Sequence, residues 1–153
     1  MYSFGKTSKR RLETCDSRIR DTMYLAIKRS PIDFGIAQGA RTVEQQQEYF
    51  DNDKSKINPS AYANLEDLLK VAKHIVDGEI RLKAEAVDVY AFVNGKASWD
   101  SSSLILIAGV ILSCANELGY KLRWGGNWDG DGEIITDQKF QDFPHFELLV
   151  TMV

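Results

Sequence analysis

Cysteine and histidine are scarce in this chain of 153 residues, which holds two of each. Cys15 and Cys114 are too few and too far apart for a disulfide framework or a CxxC zinc site. Cys114 lies in an apolar run and is expected as a small core residue. Positive charge is not in excess either: 19 Lys and Arg stand against 22 Asp and Glu, a net charge of −3. That balance lacks the broad positive field by which proteins hold nucleic acid phosphate, so no nucleic acid partner is expected. The N-terminal segment MYSFGKTSKRRLETCDSRIR has no apolar stretch behind its positive charges and does not read as a secretory signal, which implies synthesis and release in the cytosol. The most apolar run, LILIAGVILSCA at residues 104–115, falls short of the roughly 20 residues that span a bilayer. It reads as a buried helix, and no stable membrane insertion is expected. No repeat and no low-complexity linker divides the chain. With 44% hydrophobic and 27% charged residues, a single packed domain over residues 1–153 is the expectation.

Apolar residues at helical spacing predict a helix over residues 9–29, ended by Ser30-Pro31. A short strand, FGIA at 34–37, follows, and Thr42 caps a second helix. The polar run 51–60 reads as a loop. Asn64 caps a third helix, NLEDLLKVAKHIV, with Gly78 as its stop. Residues 86–93 are β-branched and aromatic, and Asn94-Gly95 turns them into KASW as a hairpin. Asp100 or a following serine caps a long helix ended by Gly119. Strands at 120–124 and 143–150 flank a glycine-rich loop. Helices first and antiparallel strands late predict an α+β fold with helices on one side of a small sheet.

Two features stand out chemically. Asp88 sits inside the apolar strand AVDVYAFV, on the face shared by Tyr90 and Phe92, where burial demands either a hydrogen-bonded network or a metal. In Asp142-Phe143-Pro144-His145 a carboxylate precedes a histidine across a proline-stiffened turn, which can aim both at one small volume, as a metal-activated water and its base require. The plain structural readings stand beside these. His74 and His145 could be satisfied structural histidines, Asp142 a turn former, and Arg41 a helix-start arginine paired with Glu44 or Asp33. The run Asp129 to Glu133 is too short for an EF-hand calcium loop.

The blocks Gly39-Ala40-Arg41-Thr42, AVDVYAFVNGKASWD, KLRWGGNWDGD and DFPHFEL, in this order over nearly the whole chain, resemble the VanY-like zinc peptidases of peptidoglycan. Within that group the likeness is nearest to single-domain phage endolysins of the L-alanyl-D-glutamate endopeptidase type. The resemblance implies a Hedgehog/DD-peptidase-like fold and a Zn2+ cofactor. It matches Asp88 and His145 to two zinc ligands, Asp142 to the acid that activates the attacking water, and Arg41 to the arginine that polarises the scissile carbonyl. Glu147 and Trp124 would support the site. One ligand departs from the pattern S-x-H-x-x-G-x-A-x-D: the histidine position, seven before Asp88, holds Arg81, and the glycine position holds Ala84. A guanidinium has no lone pair for zinc. Either His74 is the displaced ligand, with about seven inserted residues looping out, or the third ligand is lost.

The resemblance therefore implies a zinc-dependent hydrolase of the peptidoglycan stem peptide, with L-alanyl-D-glutamate cleavage first. A D,D- or L,D-carboxypeptidase and a catalytically silent cell-wall-binding member are the alternatives. It further implies a monomer that accumulates in the cytoplasm of the producing cell and reaches the wall through a separate holin-type permeabilising protein.

Overall fold

The computed structural model describes residues 1–127 and 142–149. The glycine-rich loop beyond Asn127, with the acidic run Asp129 to Glu133, and the expected end of the last strand at Val150 lie outside the described residues.

The helix expected over 9–29 is two helices, α1 (Lys6–Glu13) and α2 (Ser17–Arg29). Apolar periodicity runs across both, but Asp16 acts as an N-cap, its carboxylate accepting from the Arg18 amide. The break frees the backbone of residues 14–16 to bond Ala84 on both sides: Ala84 N–H donates to the Thr14 carbonyl, and Asp16 N–H to the Ala84 carbonyl. The helix interruption thus anchors the chain just ahead of the strand that carries Asp88.

β1 (Phe34–Gln38) leads to α3 (Val43–Asp51), which opens with a reciprocal cap in which the side chains of Thr42 and Gln45 each accept from the other's amide. A single 3-10 turn, Pro59–Ala61, interrupts the following loop. α4 (Leu65–Val71) is capped by Asn64 as expected, yet it stops seven residues before Gly78. The apolar spacing continues through Ile75, but long-range backbone bonds displace the helical ones. His74 and Val76 bond either side of Arg41, and the Lys73 carbonyl accepts from Glu85. Residues 72–76 therefore leave the helix through a turn at Lys73 and His74, closed by the Ile75 N–H on the Ala72 carbonyl, with Leu68, Leu69, Ala72 and Ile75 forming a small core of their own.

β2 (Ala86–Val93) and β3 (Lys96–Ser98) form the predicted hairpin, with Asn94 and Gly95 both at positive φ. α5 (Ser101–Leu118) is capped by Asp100 and ends at Gly119, φ 82°. β4 (Leu122–Gly125) and β5 (Asp142–Leu148) complete an antiparallel sheet in the order β1-β2-β5-β4, with β3 continuing the β5 edge of β2. The α+β expectation holds.

Alternation along β2 builds two unlike faces. Val87, Val89 and Ala91 enter the main core with Leu12 and Ile19 of the first two helices and Ile107 and Ile111 of α5. Full burial of each large aliphatic side chain contributes about 1.5–3 kcal/mol. α5 is long and apolar enough to cross a membrane, yet Leu104, Ile107, Ala108, Ile111, Cys114 and Ala115 are buried in this core. Cys15 and Cys114 are both buried thiols, as expected for Cys114.

Candidate metal centre

The sheet register makes Asp88 and His145 direct partners across β2 and β5. Their side chains share the face opposite the main core, and His145 Nδ1 lies 3.0 Å from Asp88 Oδ1. The turn after α4 adds His74, whose Nε2 lies 3.3 Å from both Asp88 Oδ1 and His145 Nδ1. Three residues far apart in the chain thus present three donor atoms in one triangle.

Each imidazole is oriented from behind. His74 Nδ1–H donates to the Gly39 carbonyl at 2.8 Å, which leaves Nε2 as the lone-pair atom facing the triangle. His145 Nε2–H donates to Glu147 at 2.9 Å, which leaves Nδ1 facing it. Glu147, two residues along β5, is held in turn by Arg123 at 2.8 Å. A carboxylate or carbonyl behind each ring is the arrangement that metal-ligating histidines adopt. A tetrahedral zinc with bonds of about 2.0–2.1 Å sets its donors roughly 3.3 Å apart, so this nitrogen-oxygen set and its spacing fit that ion.

Proton affinities in the cluster diverge. Burial holds His74 below the ordinary imidazole value, despite the nearby Asp88 carboxylate. Burial also opposes a charge on His145, but its hydrogen bonds to Asp88 and Glu147 outweigh that and raise it to about 10. Asp88 stays well below the usual carboxylate range, since the two imidazoles overcome the effect of burial. Asp142 is pushed up to about 6 by burial and by the charge of Asp88. A carboxyl that titrates near neutrality is suited to trade a proton with a water or an amine.

Asp142 opens β5 opposite Gly125, where the register between β4 and β5 shifts. A side chain on Gly125 would collide with the Asp142 backbone, so glycine at this point lets the carboxylate approach the site. Arg41 lies on the other side. Its guanidinium donates to Gln46 at 3.0 Å and Gln38 at 3.2 Å, pairs with Asp88 at 3.5 Å and covers the Tyr49 ring at 4.5 Å. The alternative partners Glu44 and Asp33 are not the ones it takes. Its Nε–H is buried and has no acceptor among the described residues.

All five expected site residues, His74, Asp88, His145, Asp142 and Arg41, line one open cleft of about 390 Å3. Trp99 stands at this cleft too, 55% exposed. Trp124 does not line it; its indole donates to the Phe143 carbonyl and braces the irregular start of β5, since Asp142 to His145 lie within that strand at a register shift and not in the expected turn. Sequence reasoning overlooked Gln38, Gln46 and the Gly39 carbonyl. Gln38 faces Asp88 across β1 and β2, a signal available only once that pairing is known, and a backbone carbonyl leaves no trace in residue identity.

Arg81 does not enter the triangle. It is buried beneath it, its guanidinium bonded to the carbonyls that end α4.

Comparison with known proteins follows the same lines. The family model described as phage L-alanyl-D-glutamate peptidase matches residues 1–149. The L-alanyl-D-glutamate peptidase of Escherichia phage T5 is 31% identical over 152 residues, covering 97% of this chain and 98% of that protein. Among solved structures, the Serratia marcescens L-Ala D-Glu endopeptidase ChiX superimposes with a TM-score of 0.68 at 24% identity, covering 96% of this chain and 90% of that one, a likeness of fold.

Proposed function

From the premise that this chain belongs to the phage L-alanyl-D-glutamate peptidase family, and is a peptidoglycan hydrolase of that specificity, we propose that it works as a zinc enzyme through His74, Asp88 and His145. The observation that carries this reading is the triangle of donor atoms at 3.0, 3.3 and 3.3 Å, with a hydrogen-bond acceptor fixed behind each ring. When bound there, zinc supplies Lewis acidity, making water a nucleophile near neutral pH and polarising the scissile carbonyl.

The chain's own residues do the rest. Asp142, with its raised proton affinity, takes the proton of the attacking water and hands it to the leaving amine of the D-glutamyl residue. Arg41 is held by Gln38, Gln46 and Asp88 at the cleft, where its guanidinium places positive charge beside the oxygen on which negative charge grows. Lys54, Lys56 and Lys73 line the same cleft, and their charge suits a stem peptide that carries carboxylates. The same reading makes the protein a monomer that gathers in the cytoplasm of the producing cell and reaches the wall through a holin-type permeabilising partner.

The test is metal content together with product analysis. Purified chain is expected to carry one zinc, lose it on His74→Ala, and release fragments cut between L-alanine and D-glutamate, read by mass spectrometry of digested wall. Undiminished cleavage after complete chelation sinks the zinc reading. Release of free D-alanine instead would point to carboxypeptidase action.

A further inference from the structure

Arg81 stands where the family pattern has its histidine, yet it is buried and saturated with bonds to main-chain carbonyls. One terminal nitrogen donates to the Ala72 carbonyl at 2.7 Å and reaches that of Ile75 at 3.4 Å; the other donates to Leu69 at 2.5 Å. Leu69 belongs to the last turn of α4, and Ala72 and Ile75 flank the two residues Lys73 and His74. Arg81 itself is fixed by the loop that carries it. Asp77 accepts from its amide at 2.8 Å and from those of Glu79 and Ile80, while Glu85 lies 3.7 Å from its Nε. Glu85 also faces Lys73 at 3.8 Å, so one carboxylate offsets the charges on both sides of the segment.

Carbonyls at the end of a buried helix need donors from outside it. The apolar spacing Leu65, Leu68, Leu69, Ala72, Ile75, Val76 favours a longer helix that would satisfy these carbonyls internally. A helical course through residue 74 would break the bond from Arg41 N–H to the His74 carbonyl and turn the imidazole away from Gly39. A planar guanidinium with forked donors can cap several carbonyls at once, which an ammonium cannot do.

Resting on the zinc reading above, we propose that Arg81 is a positioning residue for the ligand His74: by capping the Leu69 and Ala72 carbonyls it stops α4 short and holds residues 72–76 in the non-helical path, a turn at Lys73 and His74, that delivers the imidazole. On this proposal the loop that carries Arg81, fixed through Asp77, also supports the ligand His74.

Zinc dissociation constants of the full chain, measured by competition with a chromogenic chelator, test this on wild type, Arg81→Met and Arg81→Lys, with circular dichroism and thermal melts of the same metal-free samples. Arg81→Met is expected to melt cooperatively, gain helical signal and bind zinc about 10–100-fold more weakly, the range found when groups supporting a metal ligand are lost. Arg81→Lys recovers part of the affinity by meeting one carbonyl. A folded Arg81→Met with wild-type zinc affinity overturns the proposal, even if its melting temperature falls, because a purely structural role predicts that result. If Arg81→Met does not fold, Arg81→Lys decides alone: weakened binding supports the proposal and unchanged binding overturns it. A wild-type chain that takes no zinc sinks the zinc reading and this proposal together, whereas zinc held equally by wild type and variant sinks only this proposal.

Discussion

The centre is assembled from two regions built on different principles. Asp88 and His145 are cross-strand partners in the sheet, so the ladder that holds β2 to β5 also sets the distance between them. His74 hangs on a turn outside the sheet strands, held by two backbone bonds to Arg41, by one from Glu85 to the Lys73 carbonyl, and by the Arg81 guanidinium on the carbonyls before it. In the sheet the ligands come with the fold. On the segment the ligand must be held by dedicated contacts, because local preference there runs toward helix. The lesson is that one candidate metal site can combine a pair of donors fixed by strand register with a third donor whose backbone has a helical alternative.

Substitutions should expose that asymmetry. Asp88→Asn is expected to abolish zinc binding in a chelator competition, since Asp88 touches both other ligands, while His74→Ala, which no longer keeps zinc through purification, leaves the sheet pair and still takes up zinc weakly when it is added in excess. Equal loss in both would erase the distinction. Asp142→Asn removes the base without removing a ligand, so kcat on purified wall should fall by about 10²–10⁴ with zinc content unchanged.

The same variant has a stability signature of opposite sign. A raised carboxyl pKa means that the folded chain holds this proton more tightly than the unfolded one, so the contribution of Asp142 to stability is fully present below about pH 4 and is lost as pH rises through about 6. Metal-free Asp142→Asn should therefore melt a few degrees above metal-free wild type at pH 7, on the order of 1–2 kcal/mol once partial solvent access is allowed for. Wild-type activity should rise with pH along a limb centred near or below 6, because any cation that neutralises Asp88 removes one cause of the upward shift.

Within the sheet region, Glu147→Gln weakens the acceptor behind His145 and should cost about 10–100-fold in zinc affinity. Zinc uptake by wild type at pH 7 should release close to one proton, which His145 carries while it titrates near 10, measurable by calorimetry in buffers of differing ionisation heat. The smallest effect is expected at the cleft mouth, where Trp99→Ala removes an exposed ring and should raise KM a few-fold while leaving zinc affinity alone.

The readability of the chain divides along the same boundary. β2 with its Asn-Gly turn, the caps at Thr42, Asn64 and Asp100, and the stop at Gly119 are local signals, written in residues within a few positions of where they act. Asp88 was conspicuous because an acid within an apolar strand needs an explanation, and His145 because an acid and a proline precede it. The break between α1 and α2 and the early end of α4 were not legible. In both, a continuing apolar period was overruled by backbone bonds to distant residues, Ala84 in one and Arg41 in the other. Arg81 at the pattern's histidine position left two readings open in the sequence, a displaced ligand at His74 or a lost one, because a one-dimensional spacing does not show that His74 lies beside Asp88 and His145.

By itself the amino-acid sequence determined the element types, the two-faced strand and the kinds of side chain available for chemistry, because these depend on short-range periodicity and on the intrinsic properties of each residue. The tertiary structure alone decided which donors meet. Strand register placed Asp88 against His145, the Gly39 carbonyl and Glu147 set which nitrogen of each ring faces inward, and contacts between distant segments chose a turn over a continued helix for His74. Those choices turn on ångström-scale distances between groups far apart in the chain, and such distances exist only once the chain has folded.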